Sequence, residues 1–330
     1  MRDRSGAATA LRFLVSRVLV VIGIGLLVSM ATFFTLRLAR DPVATIGAQQ
    51  GVNLLQPGAR AKLAHELGTD RSLVAQYGSW LGHAVRGDLG RSDAPPYHSV
   101  GSMILQALPV NLELMVLAQL IALVIAVPLG LWSGSRAGTR VDRVITTAAT
   151  GCMSYPAFAL ALVLITVLSV QLRLFPVTAT GYVGFFDDPL TNLHVMFLPA
   201  LSLAIGMIGV YTRVLRSDVA TTLQEDFVLT ARSRGLSPRS ILLRHALRPS
   251  SLSLVSLVGL QSGFLLGGSL LVERLFAFPY GIGSTLVPAA VTVDIPVVLS
   301  TATVIGVVFT TVMILFDMLL RLVDPRIRRG

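Results

Sequence analysis

The sequence predicts an all-α membrane protein with six transmembrane helices, and three observations predict it. Of the 330 residues, 53% are hydrophobic and only 13% are charged, against roughly 25% charged in soluble domains. Charge-free windows long enough to cross hydrocarbon recur along the whole chain. Arginines gather in alternate connecting segments. A chain this apolar cannot keep its surface in water, so a bilayer serves as its solvent.

A spanning helix takes about 20 apolar residues, because ~30 Å of hydrocarbon is crossed at ~1.5 Å per residue. The windows are Val18–Leu36, Leu114–Ser135, Val144–Leu172, Pro189–Thr212, Pro249–Val272 and Ile295–Phe316. The expected helices cover about 13–37, 109–133, 146–170, 194–214, 252–272 and 296–320. Arg2, Arg4 and Arg12 precede the first window, as in a signal peptide. That window is longer than a signal peptide's apolar core, and Arg37 and Arg40 follow it in place of a small-residue cleavage site, so an uncleaved helix is expected. Pro109, Pro128, Pro156 and Pro199 are expected at helix starts and kinks. Gly259, Gly263 and Gly267, four apart, allow helices to approach closely.

Orientation follows from the arginines. With the N-terminus in the cytoplasm, that side holds Arg2, Arg4, Arg12 and Arg17, then Arg136, Arg140 and Arg143, then the arginines from Arg213 to Arg248, and last Arg321, Arg326, Arg328 and Arg329. The two short loops of the other side hold Arg173 and Arg274. Both termini are therefore expected in the cytoplasm of a multi-pass protein of the cell membrane. The net charge of +10 could suit nucleic acid, but membrane anchoring accounts for the same residues, and no nucleic-acid partner is expected.

Several chemistries are excluded. Lys62, the single lysine, lies between Ala61 and Leu63, so the chain has no phosphate-binding P-loop. Cys152 is the single cysteine, which rules out an intrachain disulfide or a cysteine metal cluster. His65-Glu66 has Thr69 where a metalloprotease helix needs its second histidine. No catalytic or metal-binding set stands out, and no cofactor is expected in this chain.

Two loops are too long to be mere connectors. Residues 1–105 are read as the first helix plus an external loop subdomain, and 106–325 as the main transmembrane domain. In the external loop Leu73, Val74, Tyr77, Trp80, Leu81 and Val85 recur with helical periodicity. They suit either a docking surface or a packed lid.

The loop at 213–248 reads as helix, turn, helix. Glu225 and Asp226 suit a helix start, and Arg232 and Arg234 suit its end. Gly235 fits the left-handed position beyond that end. Ser237 is an N-cap, with Pro238 at the first helical position. Phe227, Val228, Ala231, Ile241, Leu242 and Leu243 leave apolar surface that this chain or a partner must cover. A DNA-binding helix-turn-helix lacks room here, since spans flank the loop.

Near the spans, Glu113 is read either as a first-turn carboxylate that satisfies free amides or as a residue of a substrate path. Glu273 and Arg274 are read as interfacial anchors or, with Phe276 and the turn at Gly281 and Gly283, as an outer gate. His194 is expected at the membrane interface.

The loop and its flanks resemble the permeases of binding-protein-dependent ATP-binding-cassette importers, B-type subunits of the dipeptide/oligopeptide/nickel class. Asp226-Phe-Val-Leu-Thr230-Ala231-Arg-Ser-Arg-Gly235-Leu236 matches that subgroup's Asp-Tyr-Val-x-Thr-Ala-x-x-x-Gly-Leu, while the broader Glu-Ala-Ala form is degraded at Leu229 and Thr230. Leu67-Gly-Thr-Asp, Arg86-Gly-Asp-Leu-Gly-Arg-Ser92, Leu108-Pro-Val-Asn-Leu-Glu-Leu114, Val272 to Gly283 and Leu322-Val-Asp-Pro-Arg326 are similar too, and in the same order. The resemblance implies the type I importer transmembrane fold and a non-enzymatic transport subunit. It implies a coupling helix made by Glu225, Asp226, Phe227, Thr230, Ala231, Arg232, Arg234, Gly235 and Leu236. The implied partners are a second homologous permease, cytoplasmic ATPase subunits that hold ATP and Mg, and an external substrate-binding protein. Dipeptides, oligopeptides, haem or nickel are the implied solutes. The alternative is a self-contained secondary transporter or channel, which would place ionisable residues near the midplane; the centres of the six windows hold none.

Overall fold

The computed structural model describes residues 3–39, 41–49 and 51–323. Arg2, Arg40, Arg326, Arg328, Arg329 and the end of the Leu322–Arg326 motif lie outside the described residues. The described chain is helical, with one isolated bridge, Arg91 to Ser99. The helices are α1 (Asp3–Ala39), α2 (Pro42–Gln49), α3 (Ala59–Glu66), α4 (Leu73–Ala84) and α5 (Val100–Ser135). Then come α6 (Arg140–Met153), α7 (Ala157–Gln171, its last two turns π-helical), α8 (Pro189–Thr222) and α9 (Asp226–Ser233). The last are α10 (Pro238–Ser250, with a π-helical stretch Ile241–Ala246), α11 (Leu252–Gly268), α12 (Leu270–Leu275), α13 (Ile282–Thr292) and α14 (Ile295–Val323).

Four of these are long and apolar enough to cross a membrane, within α1, α5, α8 and α14, and the number rises to 6 when each bent pair counts as one span. The expected helix at 146–170 is such a pair: α6 and α7 meet at 97°. Pro156 lacks an amide hydrogen and pushes its predecessor out of the helical region, so the helix stops at Met153 and restarts at Ala157. The expected helix at 252–272 begins where α11 does, at Leu252, and the 50° bend lies just before it, where α10 meets α11. Pro109 does not start a helix. It lies inside α5, which begins at Val100.

The chain divides into two compact units. Unit 1 comprises Met1–Val110 and Tyr280–Thr311. The linear division at residue 105 misses its second segment, which joins through tertiary contacts. Phe33 of α1, Tyr77 of α4 and Leu299 of α14 form one buried cluster, with Leu73, Trp80 and Leu81 against it. Ser29 and the Tyr77 hydroxyl are hydrogen-bonded at 2.9 Å. Val100 and Ile104 pack with Ala289 and Val297. Ser92 Oγ donates to Asp294, whose other oxygen accepts from the Val297 amide at 3.2 Å and caps α14. A β-carbon at Gly306 would lie 3.2 Å from Val28, so α1 and α14 run close together.

Unit 2 comprises Asn111–Pro279 and Val312–Gly330, and α8 is its core. Asp188 caps α8 by accepting from the Thr191 amide, with Pro189 in the first turn. Gly209 of α8 presses on α6; a β-carbon there would collide with the Ala149 carbonyl oxygen. Gly134 of α5 meets Val219 of α8 in the same way. Gly259 abuts Phe316, which a β-carbon would approach to 2.7 Å.

Candidate coupling surface and transport path

α9 and α10 form a short hairpin held by local chemistry. Gly235 has φ 76°, a left-handed conformation that suits glycine. The Gly235 amide donates to the Arg232 carbonyl at 2.9 Å, and the Leu236 amide to the Ala231 carbonyl at 3.3 Å. This pair is the Schellman closure that satisfies otherwise orphaned helix-end carbonyls. Ser237 Oγ then accepts from the Ser240 amide at 3.3 Å, with Pro238 in the first turn. Asp226 lies in the first turn of α9 and Arg232 in the last, each favoured by the helix dipole.

The inner face of the hairpin is Val228, Ala231 and Ile241, fully or nearly buried, with Leu223 against them. Ala231, expected among the contact-making residues, thus faces inward and holds the hairpin shut. The other expected residues, Glu225, Asp226, Phe227, Thr230, Arg232, Arg234, Gly235 and Leu236, are exposed together. Leu229 and Leu243 are exposed with them, at 54% and 57%. The result is an apolar patch edged by arginines on a loop between long helices.

A polar pin that sequence reasoning missed joins α6 to α8. Arg216, expected as a loop anchor, belongs to α8 and grips Asp142 of α6 through Nε at 2.9 Å and through a terminal nitrogen at 2.5 Å. Asp142 also accepts from Ser133 Oγ at 2.6 Å and from the Gly138 amide at 2.8 Å. This fork geometry suits a guanidinium, not an ammonium. The one legible hint is that Asp142 is the lone acid among Arg136, Arg140 and Arg143.

The expected gate and path residues fall in different places. Glu273 is fully buried in unit 2 and accepts from Asn111 Nδ2 and Ser269 Oγ, both at 2.5 Å. It therefore is not an interfacial anchor; it ties α12 to α5. Phe276 is buried, and its carbonyl accepts from the Ala179 amide at 2.6 Å. Glu113 is not in a first turn, because α5 starts more than three turns earlier. One of its oxygens accepts from the Tyr182 hydroxyl at 2.8 Å, and the other is buried with no partner. Burial, reinforced by the Glu113 carboxylate, pushes the Tyr182 phenol above its ordinary value. Gly281 and Gly283 belong to unit 1 and open α13, where the Gly281 carbonyl accepts from Thr285. His194 is exposed near the start of α8 and stacks on Phe175 at 5.2 Å.

A second buried pin crosses unit 2. Gln119 of α5 donates to Ser262 Oγ at 2.9 Å and to the Val258 carbonyl of α11 at 3.1 Å, and accepts from the Tyr211 hydroxyl of α8 at 2.7 Å. Beside it, α8 and α11 leave a cleft of about 330 Å³. Met153, Ala157, Leu203, Met207 and Phe264 line it, with Gln261 and the side-chain-free positions Gly206 and Gly268. The cleft reaches the α6–α7 bend, so the break at Pro156 opens onto it. Among the described residues, no group of acids, histidines and cysteine could hold a metal ion.

The chain is similar to known transport proteins. Residues 126–329 match the family described as "Binding-protein-dependent transport system inner membrane component". A Brucella abortus protein named for a peptide transport system permease is 34% identical over 96% of this chain and 98% of its own length. The oligopeptide transport system permease protein of Bacillus subtilis is 30% identical over 96% of this chain and 98% of that protein. The dipeptide transport system permease protein of Lactococcus lactis is 31% identical over 83% of this chain and 87% of that protein. Among solved structures, an inward-facing form of the MetNI methionine ABC transporter superposes with a TM-score of 0.52 at 16% identity, covering 67% of this chain and 96% of that one. That likeness speaks to the fold alone, and it is the type I importer fold that the sequence predicts. The chain belongs to the family of inner-membrane components of binding-protein-dependent transport systems, and is the permease subunit of an ATP-binding-cassette importer.

Proposed function

We propose that this permease carries dipeptides or oligopeptides inward, paired with a second homologous permease. An external binding protein delivers the solute, and separate cytoplasmic ATPase subunits, which hold ATP and Mg, supply the work. The chain itself performs no catalysis. The observation that carries this reading is the exposed surface of α9 and the turn after it, where Phe227, Leu229 and Leu236 lie among Arg232 and Arg234 on a hairpin closed by its own caps. Exposed apolar patches rimmed by charge are protein-binding surfaces. Peptide as the solute is supported by the names of the relatives. Both termini, α9 and α10 are assigned to the cytoplasm from the arginine distribution.

In this reading the ATPases bind the α9 surface differently in their two nucleotide states, and that difference in affinity shifts the permease between inward- and outward-facing forms. The cleft between α8 and α11 is assigned to the path, and Glu113, bonded to Tyr182, is a further candidate path residue. The test is Gly235→Val. A β-branched residue is disfavoured at φ 76°, so the variant is expected to assemble at normal levels, hydrolyse ATP, and fail to couple hydrolysis to peptide uptake. Normal uptake by Gly235→Val at normal assembly would remove α9 from the coupling role. Measuring which peptide the partner binding protein retains tests the substrate separately.

A further inference from the structure

Unit 1 contains a cleft of about 160 Å³ between α1, α4, the segment before α5 and the start of α14. Its walls are of two kinds. Phe33 and Leu299 supply apolar surface, while Arg37, Gln76, Trp80 and Asp93 are polar. Three polar atoms in these walls are buried with no hydrogen-bond partner: Nε of Arg37, Oε1 of Gln76 and Nε1 of Trp80. Buried donors and acceptors are paired in the great majority of cases, so three orphans around one cavity mark a place where something else completes them.

The surrounding contacts hold these groups in position. The Gln76 amide nitrogen donates to the Arg71 carbonyl at 2.7 Å and to the Thr69 carbonyl at 3.3 Å, which commits its nitrogen and leaves its oxygen over. The Arg37 guanidinium lies 5.6 Å from the centre of the Phe33 ring. Asp93 accepts from the Ile295 amide and faces Arg37 electrostatically. Burial and the neighbouring Asp294 carboxylate raise Asp93 to about 6, so at neutral pH it is mainly a carboxylate. The cleft thus offers one cation, one anion, one spare donor and one spare acceptor beside an aromatic wall.

We propose that this cleft binds one amino acid as its zwitterion. The ligand carboxylate meets Arg37 and the Trp80 indole N–H. Its ammonium meets Asp93 and the Gln76 carbonyl, and its side chain lies on Phe33 and Leu299. A guanidinium fork suits a carboxylate, and an ammonium, which only donates, suits a carboxylate and an amide oxygen. The volume falls below the ~300 Å³ where pockets for drug-sized ligands begin, which suits a ligand the size of one amino acid. This site is separate from the proposed peptide path, and its occupancy can be measured without transport.

The test uses the full chain in lipid nanodiscs. The sequence holds two tryptophans, Trp80 and Trp132, so Trp132→Phe leaves Trp80 as the sole reporter. Titration with leucine is expected to give a saturable fluorescence change. N-acetylleucine, which lacks the ammonium, and leucinamide, which lacks the carboxylate, should each bind at least about tenfold more weakly, a difference of ~1.4 kcal/mol. Asp93→Asn should erase the preference for leucine over N-acetylleucine, and Arg37→Lys should weaken leucine. Radiolabelled leucine binding to the Trp80→Phe chain checks that the reporter is also a contact. The proposal is overturned by no saturable response, by equal binding of all three ligands, by a response to inorganic phosphate alone, or by an analogue preference that Asp93→Asn leaves unchanged.

Discussion

The α9–α10 hairpin and the Asp142–Arg216 pin are built from the same residue types, yet they are specified in opposite ways. The hairpin is local. Its closures at Gly235 and Ser237 bond groups no more than five residues apart, and its arginines stay in solvent. The pin is tertiary. Arg216 reaches Asp142 across 74 positions of sequence, and the carboxylate is 5% exposed. An exposed surface can be encoded by caps alone, whereas a buried charge must have its partner folded into place.

That contrast can be broken experimentally, starting from the largest effect. Asp142→Ala strands the Arg216 guanidinium. The Arg216 side chain is 31% exposed, so the loss is that of a partly buried pair, ~1–3 kcal/mol; thermal unfolding in detergent should fall, and the double change with Arg216→Met should recover part of the loss. If Asp142→Ala melts like the parent, the pin contributes nothing. Tyr211→Phe is milder. It leaves Gln119 Oε1 without its donor, and polar contacts between membrane helices are worth ~0.6–2 kcal/mol, so a drop of about 1 kcal/mol is expected in the same measurement. Ser237→Ala removes one cap, worth ~1 kcal/mol locally. It should raise amide exchange in α10 alone and leave global melting unchanged. Phe227→Asp should not alter melting at all, because the ring is 44% exposed, but it should abolish co-purification of the ATPase. Retained co-purification would move the docking surface elsewhere.

The same contrast explains what was legible beforehand. The number and order of spans follow from apolar windows, which depend only on composition along the chain. The hairpin was legible to the residue because Gly235, Ser237 and Pro238 each have one conformational use. The 97° bend was half legible: Pro156 marked a kink, but nothing local sets its angle. The buried pairings were not legible. Glu273 reads from its neighbours as an interfacial acid, and only the fold brings Asn111 to it across 162 positions. The join between residues 280–311 and the first hundred residues was hidden for the same reason. Arg37, Gln76, Trp80 and Asp93 are unremarkable as a sequence pattern and become a cleft only through packing.

The junction at Ser251 has a mechanical consequence. α10 and α11 follow each other with a single residue, Ser251, between them and no loop. α11 has 17 residues, or ~25 Å of rigid rod. Pivoting it by about 10° at Ser251 swings its far end by ~4 Å. That end carries Phe264 and Gly268, both in the wall of the unit 2 cleft. Under the proposed coupling role, a rotation of that size would displace the cavity wall by about one atom's width, with the Gln119–Ser262 bond set near the middle of the rod.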